Sequence, residues 1–438
     1  MKKIWLYFLP VLAISLSFTG CLQDTCVTKG IVYEFSPVYM SKAEVRASVG
    51  VEAARELVNP GKLYYYYNFL LINEINEGFH VIDNSNPENP VNLSFIKVPG
   101  SHDMAVKGDV LYADSYMDLV AISIIDPNNP VELSRDEDVF EYGSWHPSLW
   151  ADEAQGIAVR FDRREIEQEV DCANNGGQGG WMRRNVFIDF TAATLDNSAE
   201  PALESGGGEV PTGIGGSMAR FTLVNNYMYV VTETDLLSFD VSNTADPMKV
   251  SDDRISWGGV ETIYPFRGSL FIGTMTGMFI YSLDDPAMPT YTSQFTHARA
   301  CDPVVVADVQ GVTYAFVTLR EGTRCGGAPN QLHVVNVQNL TNPVLVASYD
   351  MNNPQGLGVQ EEVLYLCDGD AGLKVFDVSD VNKIDDNRMA RFKNIDAYDV
   401  IPLGKYALMI GKDGFFQYDI EDPNNITLVS SIPVNREN

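Results

Sequence analysis

Positive charge and histidine are both scarce in this 438-residue sequence, and it lacks the spacings that mark the common catalytic sites. Lys and Arg number 30 against 59 Asp and Glu, a net charge of −29, which excludes the phosphate backbone of nucleic acid as a partner. The five histidines, His80, His102, His146, His297 and His333, form no HExxH or CxxCH spacing, so zinc hydrolysis and covalent haem are unsupported. The glycine runs "NNGGQGGW" and "ESGGGEVPTGIGGS" are not followed by GKS or GKT, which removes a phosphate loop, and no GxSxG elbow sits between a strand and a helix. "DGDAG" at 368 to 372 lacks the downstream glutamate of a calcium loop and reads as a tight turn. After the first twenty residues no apolar stretch is long enough to cross a bilayer as a helix. What is present is a folding composition, with 45% hydrophobic and 11% aromatic residues.

The N-terminus "MKKIWLYFLPVLAISLSFTGC" carries Lys2 and Lys3, an apolar stretch and small residues before a cysteine, the pattern of an export signal. Gly20-Cys21 resembles a bacterial lipobox, with Phe18 where leucine is usual. The expectation is a signal over 1–20, a lipid on Cys21, a tether and arm over 21–61, and a body held at the outer membrane or cell surface. Cleavage by an ordinary peptidase, with Cys21 incidental, is the alternative. Among the other cysteines, Cys301 and Cys325 fall on one side of one repeat and close a loop of 325 − 301 = 24 residues. A bridge there would contribute ~3 kcal/mol. Cys26 with Cys172 is a second pairing, which leaves Cys367 as a small buried residue.

The chain repeats. "FHVIDNSNPENPVNL" at 79 to 93 is followed by "VAISIIDPNNPVEL", "LLSFDVSNTADPMKV", "MFIYSLDDPAMPTYT", "LHVVNVQNLTNPVLV", "LKVFDVSDVNKI" and "FFQYDIEDPNNITLV". The marker residues are Asp83, Ser123, Asp240, Ser282, Asn336, Asp377 and Asp419, spaced 40, 117, 42, 54, 41 and 42 apart. A unit of about forty residues holding four short Val-, Ile-, Leu- and aromatic-rich runs is the blade of a β-propeller. The marker ends the third strand because its side chain accepts hydrogen bonds from turn N–H groups, and proline follows because it cannot sit in a central strand.

Hydrophobic pairs running into Asp-x-Ser-Asn-Pro-x-x-Pro resemble the LVIVD repeat of bacterial cell-surface proteins. "SPVYMSKAEVR", "GGSMARF" and "CDPVVVADVQGVTYAFVTLREGTRCGG" are similar to stretches of lipoproteins of that group from Bacteroidota-type bacteria. The resemblance covers nearly all of the mature chain and implies a propeller at the envelope, with no chemistry attached. Thr244, Leu340 and Val381 depart from it at the first proline, and Ile384 and Ile426 at the second.

The expected fold is all-β: a single seven-bladed propeller of four-stranded antiparallel blades over 62–438, interrupted by an insertion at 141–216. Blades are expected at 62–98, 99–140, 217–257, 258–298, 299–350, 351–393 and 394–436. Ahead of them, a capping box of Ser41 and Glu44 predicts one or two short helices across 41–57, with "IVYEF" as a strand added to the ring. First-strand alignment places Asp103, Glu261, Asp302 and Asp399 on one register, with Ser217 and Gln355 in other blades and no counterpart in the first. Four carboxylates around one mouth would repel each other unless Ca²⁺ or a basic ligand balanced them; alternatively each caps backbone N–H groups of its own blade. No cofactor is otherwise evident. The insertion carries Trp145, Trp150 and Trp181, suited to a sugar or aromatic ligand or to a small core of the loop itself. The sequence therefore predicts a monomeric binding or protein-interaction module for a protein or glycan ligand. A cation-dependent hydrolase or lyase using the acidic rim is the alternative.

Overall fold

A computed structural model describes residues 27–141, 153–171, 186–187, 213–300, 303–321 and 329–435. The signal, Cys21, Cys26, Cys172, Cys301, Asp302, Cys325 and the three tryptophans of the insertion lie outside the described residues. Two compact units are present: Met1–Val38 with Arg160–Ala192, and Tyr39–Val159 with Ala193–Asn438.

The larger unit is a seven-bladed β-propeller, each blade a four-stranded antiparallel sheet continuous in sequence. Blade 1 comprises Pro60–Tyr66, Phe69–Glu74, Gly78–Asp83 and Val91–Lys97. Blades 2 to 7 begin with Met104–Lys107, Phe221–Val224, Val260–Phe266, Val304–Val309, Leu357–Gln360 and Ala397–Leu403. They end with Val131–Asp136, Met248–Arg254, Thr290–Thr296, Val344–Asp350, Arg388–Phe392 and Thr427–Pro433. Inner strands are buried on both faces because blades stack face to face; Val110–Ser115 is buried at every residue. Outer strands are half-exposed. In every blade the first two strands are joined by a two-residue turn, which requires a left-handed backbone. Gly404 supplies it in blade 7, whereas in blade 6 Glu361 and Glu362 adopt φ of 50° and 62°.

The repeated motif does two jobs. As expected, the marker caps its turn: Asp83, Asp240 and Asp377 each accept the N–H two residues on at 2.8 Å, and Asn336 and Asp419 do so at 3.0 Å. The second job was not visible in the sequence. The backbone carbonyl four residues after the marker accepts a side-chain donor from the preceding blade. Gln417 reaches Pro87 at 3.0 Å, Ser94 reaches Pro127 at 2.5 Å and Tyr112 reaches Thr244 at 2.8 Å. Tyr229 reaches Pro286 at 2.7 Å, Ser293 reaches Leu340, and Tyr349 reaches Val381 at 2.6 Å. Six of the seven blade junctions are latched in this way, and burial keeps the phenols of Tyr112 and Tyr229 protonated by raising their pKa far above the usual value.

Two expectations about the arm are corrected. The helix spans only Lys42–Ala47, with the Ser41–Glu44 capping box in place. Val49, Gly50 and Val51 favour extended chain, and Gly50–Ala53 instead pairs with the outer strand of blade 1. Residues 31–35 add no strand to the ring. They belong to Val27–Met40, the middle strand of a separate three-stranded sheet with Ile157–Asp171 and Val186–Phe187.

Candidate functional site

Counting five residues back from each first hairpin turn gives the level at which the first strands surround the axis. The positions are Lys62, Asp103, Arg220, Thr262, Val305, Gly356 and Asp399. Two bases and two acids make that ring 2 − 2 = 0 in formal charge, where the sequence had suggested four carboxylates. Glu261 lies one residue ahead of this register: the bulge of blade 4 recurs in blade 7, so Thr262 matches Asp399 and Glu261 matches Tyr398, and Glu261 is half-buried. Asp302 is outside the described residues. Lys62 belongs to the one blade for which the sequence offered no counterpart, and it faces Asp103: Nζ to Oδ2 is 2.8 Å, with both side chains 3% exposed. Burial lowers the Lys62 pKa, and the Asp103 carboxylate works against that shift. Asp103 also accepts the N–H groups of Met104 at 2.7 Å and Phe221 at 3.1 Å, and that of Arg220. At this carboxylate the neighbouring positive charge is a lysine of the fold.

The axis itself is filled by the chain. Residues 213–220, the end of the glycine-rich run, rise antiparallel to the first strand of blade 1, Ile214 pairing with Tyr65 and Gly215 with Tyr64. The Gly213 N–H donates to Val106 O of blade 2 at 2.9 Å and that of Gly216 to Leu63 O of blade 1 at 3.3 Å. Ser217 then crosses the ring. Its N–H donates to Asp399 of blade 7 at 3.2 Å, and its hydroxyl accepts from Leu357 N–H of blade 6 at 2.6 Å. Ala219 O accepts from Ile263 N–H of blade 4 at 2.7 Å. Ile214, Ser217, Met218 and Ala219 are buried. Glycine is required where this segment packs: a Cβ on Gly213 would stand 2.2 Å from the Tyr64 ring, and one on Gly356 would stand 2.1 Å from the Asp399 carboxylate.

Asp103, Asp399 and Ser217 therefore meet at the plug. Gln355, 3% exposed, sits beside it; its backbone O accepts from Thr318 Oγ1 at 2.8 Å, and its side-chain Oε1 is buried without a partner. Asp103 caps Met104 N–H of its own blade, as expected of a register acid, and carboxylates at the end of second strands also cap incoming loops. Asp114 accepts His102 N–H and Asp103 N–H, each at 2.9 Å, and Asp368 accepts Asn352 N–H at 3.0 Å and Asn353 N–H at 2.8 Å. Glu74 accepts Val58 N–H at 3.1 Å and Asn59 N–H, and pairs with the buried His80 at 2.8 Å. "DGDAG" is such a site: Asp368 caps a loop and bonds Lys374 at 2.5 Å. Cys367 is fully buried. Among the described residues no group of three or more His, Cys, Asp or Glu is placed to hold a metal ion. No helix of the described residues is long and apolar enough to cross a membrane.

The LVIVD repeat family model matches residues 215–252 and 327–351. The first match begins within the plug and covers blade 3, and the second covers the outer half of blade 5. No curated protein sequence matches the chain. Saccharomyces cerevisiae Sqt1 is similar in structure, with 5% identity over 88% of this chain and 89% of its own and a TM-score of 0.50. The Pseudomonas aeruginosa periplasmic gluconolactonase PpgL aligns at 11% identity over 86% and 96%, TM-score 0.49. The computationally designed protein Ika8 aligns at 8% identity over 88% and 91%, TM-score 0.48.

Proposed function

We propose that this LVIVD-repeat β-propeller is an envelope-tethered binding or protein-interaction module. In this reading a lipid on Cys21 holds it at the membrane, and a protein or glycan is recognised on the face that receives the insertion. The observation that carries the reading is the plug: the axial position, where a propeller would build an enclosed substrate pocket, is taken by residues 213–220 of the chain itself. Recognition then falls to loops, and the 141–216 insertion is the longest, with Trp145, Trp150 and Trp181 as aromatic surfaces for a sugar ring or an apolar side chain.

The test uses the mature chain on a glycan array and in pull-down from envelope extracts, alongside a variant lacking 145–210 that keeps the plug. Binding by the intact chain and its loss in the deletion are expected. Binding that survives the deletion overturns the assignment to the insertion. In the same strains, Cys21→Ala moves the protein from the membrane to the soluble fraction if the tether is a lipid on that residue.

A further inference from the structure

We infer that residues 213–220 are the clasp that closes the ring, with Ser217 as its central bond, a role that stands whatever the ligand is. A propeller must join its last blade to its first, and here no strand is shared between them, since each blade is continuous in sequence. Among the described residues the direct links are Leu57 bridging Val434, Asn435 N–H donating to Leu57 O at 2.8 Å and its side chain to Glu56, Asn84 donating to Gln417 at 2.8 Å, and the Gln417 latch to Pro87 O at 3.0 Å. Around them lies an apolar cluster of Leu63, Leu70 and Ile72 from blade 1 with Ile401, Leu408 and Phe415 from blade 7.

The plug reinforces this junction from inside. Ile214 is a member of the same apolar cluster. Gly215 and Gly216 bond blade 1, and one residue later Ser217 bonds blade 7 through Asp399 and blade 6 through Leu357 N–H. Gly213 and Arg220 secure the two ends of the segment on blade 2. The Ser217 hydroxyl both accepts from Leu357 N–H and donates to Asp399 Oδ1 at 3.4 Å, so one oxygen links the two last blades to a segment already paired with the first. Ser217 is 2% exposed, so bulk solvent does not reach a partner lost there. Removing the hydroxyl strands a buried N–H at the junction and loosens the seam locally.

Hydrogen exchange on the full mature chain tests this. Ser217→Ala is expected to raise exchange about tenfold in Pro60–Tyr66, Leu357–Gln360 and Ala397–Leu403, with Val304–Val309 of blade 5 unchanged. Ser217→Thr, which keeps the hydroxyl, is expected to restore protection. Val334→Ala in the core of blade 5 serves as the control and should leave the seam protected. Exchange in Ser217→Ala that rises uniformly, or only within 213–220, would overturn the inference. If Ser217→Ala proves too mild to read, Gly213→Ala, which drives a methyl into Tyr64, must open the same three strands or the clasp is refuted.

Discussion

His333 lies on the third strand of blade 5 with its Nε2–H donating to Gln331 Oε1 at 3.1 Å. That amide is oriented by its own bond to Asp350 at 3.0 Å, which fixes the imidazole tautomer and leaves Nδ1 buried without a partner. Burial first, then the nearby His297, push its pKa down to about 4. An unfolded chain takes up this proton below about 6.5, whereas the fold resists it until about 4. In that window the unfolded state binds more protons, so the contribution of neutral His333 is complete above about 6.5 and is lost as pH falls toward 4. Urea melts at pH 7.5 and 4.5 check this. His333→Gln keeps a donor toward Gln331 and is expected to lose less stability between the two pH values than the parent chain; an equal loss would place the acid sensitivity elsewhere. The Asp103 partner shows how single residues escape a sequence reading. Alignment sought like residues at like places, and Lys62 holds the place of an acid in the blade where no match was found.

Strands and turns were far easier to read than their junctions. A period near forty with four apolar runs implied the blades, and Asp83 and its equivalents marked the end of each third strand. The carbonyl four residues later escaped notice because every residue type presents the same C=O. That also accounts for Thr244, Leu340 and Val381 in place of proline: the inter-blade latch uses the backbone, so the side chain there is free to vary. The donors vary too, among Ser, Tyr and Gln on the second, third or fourth strand, so they leave no fixed register. Tyr229→Phe keeps the ring packed and deletes only the bond to Pro286 O, and is expected to cost about 1–1.5 kcal/mol in a denaturant melt. Tyr291→Phe, at a residue 54% exposed, serves as the comparison and should cost less than about 0.5 kcal/mol. Equal costs would show that the latches carry no stability. The arm illustrates the opposite error: the capping box correctly placed the start of a helix, but two valines flanking a glycine ended it after six residues.

At the scale of the molecule, the glycine-rich run before blade 3 carries no periodicity and reads as surface loop, so nothing in the sequence placed its last residues, from Gly213 on, on the axis. The burial of Ile214 and Ser217 there changes the electrostatic argument. A mouth of four carboxylates would need a cation, but the level ring carries Lys62 and Arg220 beside Asp103 and Asp399. Diffuse charge and a discrete site respond differently to ions. Repulsion across a chain of net charge −29 is relieved by any salt as the Debye length shrinks, so raising NaCl from 20 to 150 mM should raise the melting temperature. A calcium site of about 10 μM affinity would instead add about 2.7 kcal/mol at 1 mM CaCl₂, a rise of about 3–5 °C in the melting temperature. With Lys62 already paired to Asp103, 1 mM CaCl₂ in 150 mM NaCl is expected to move it by less than about 1 °C, and EDTA by no more. A saturable rise of several degrees with calcium, abolished by Glu261→Gln, would show that the mouth above the plug holds a cation after all.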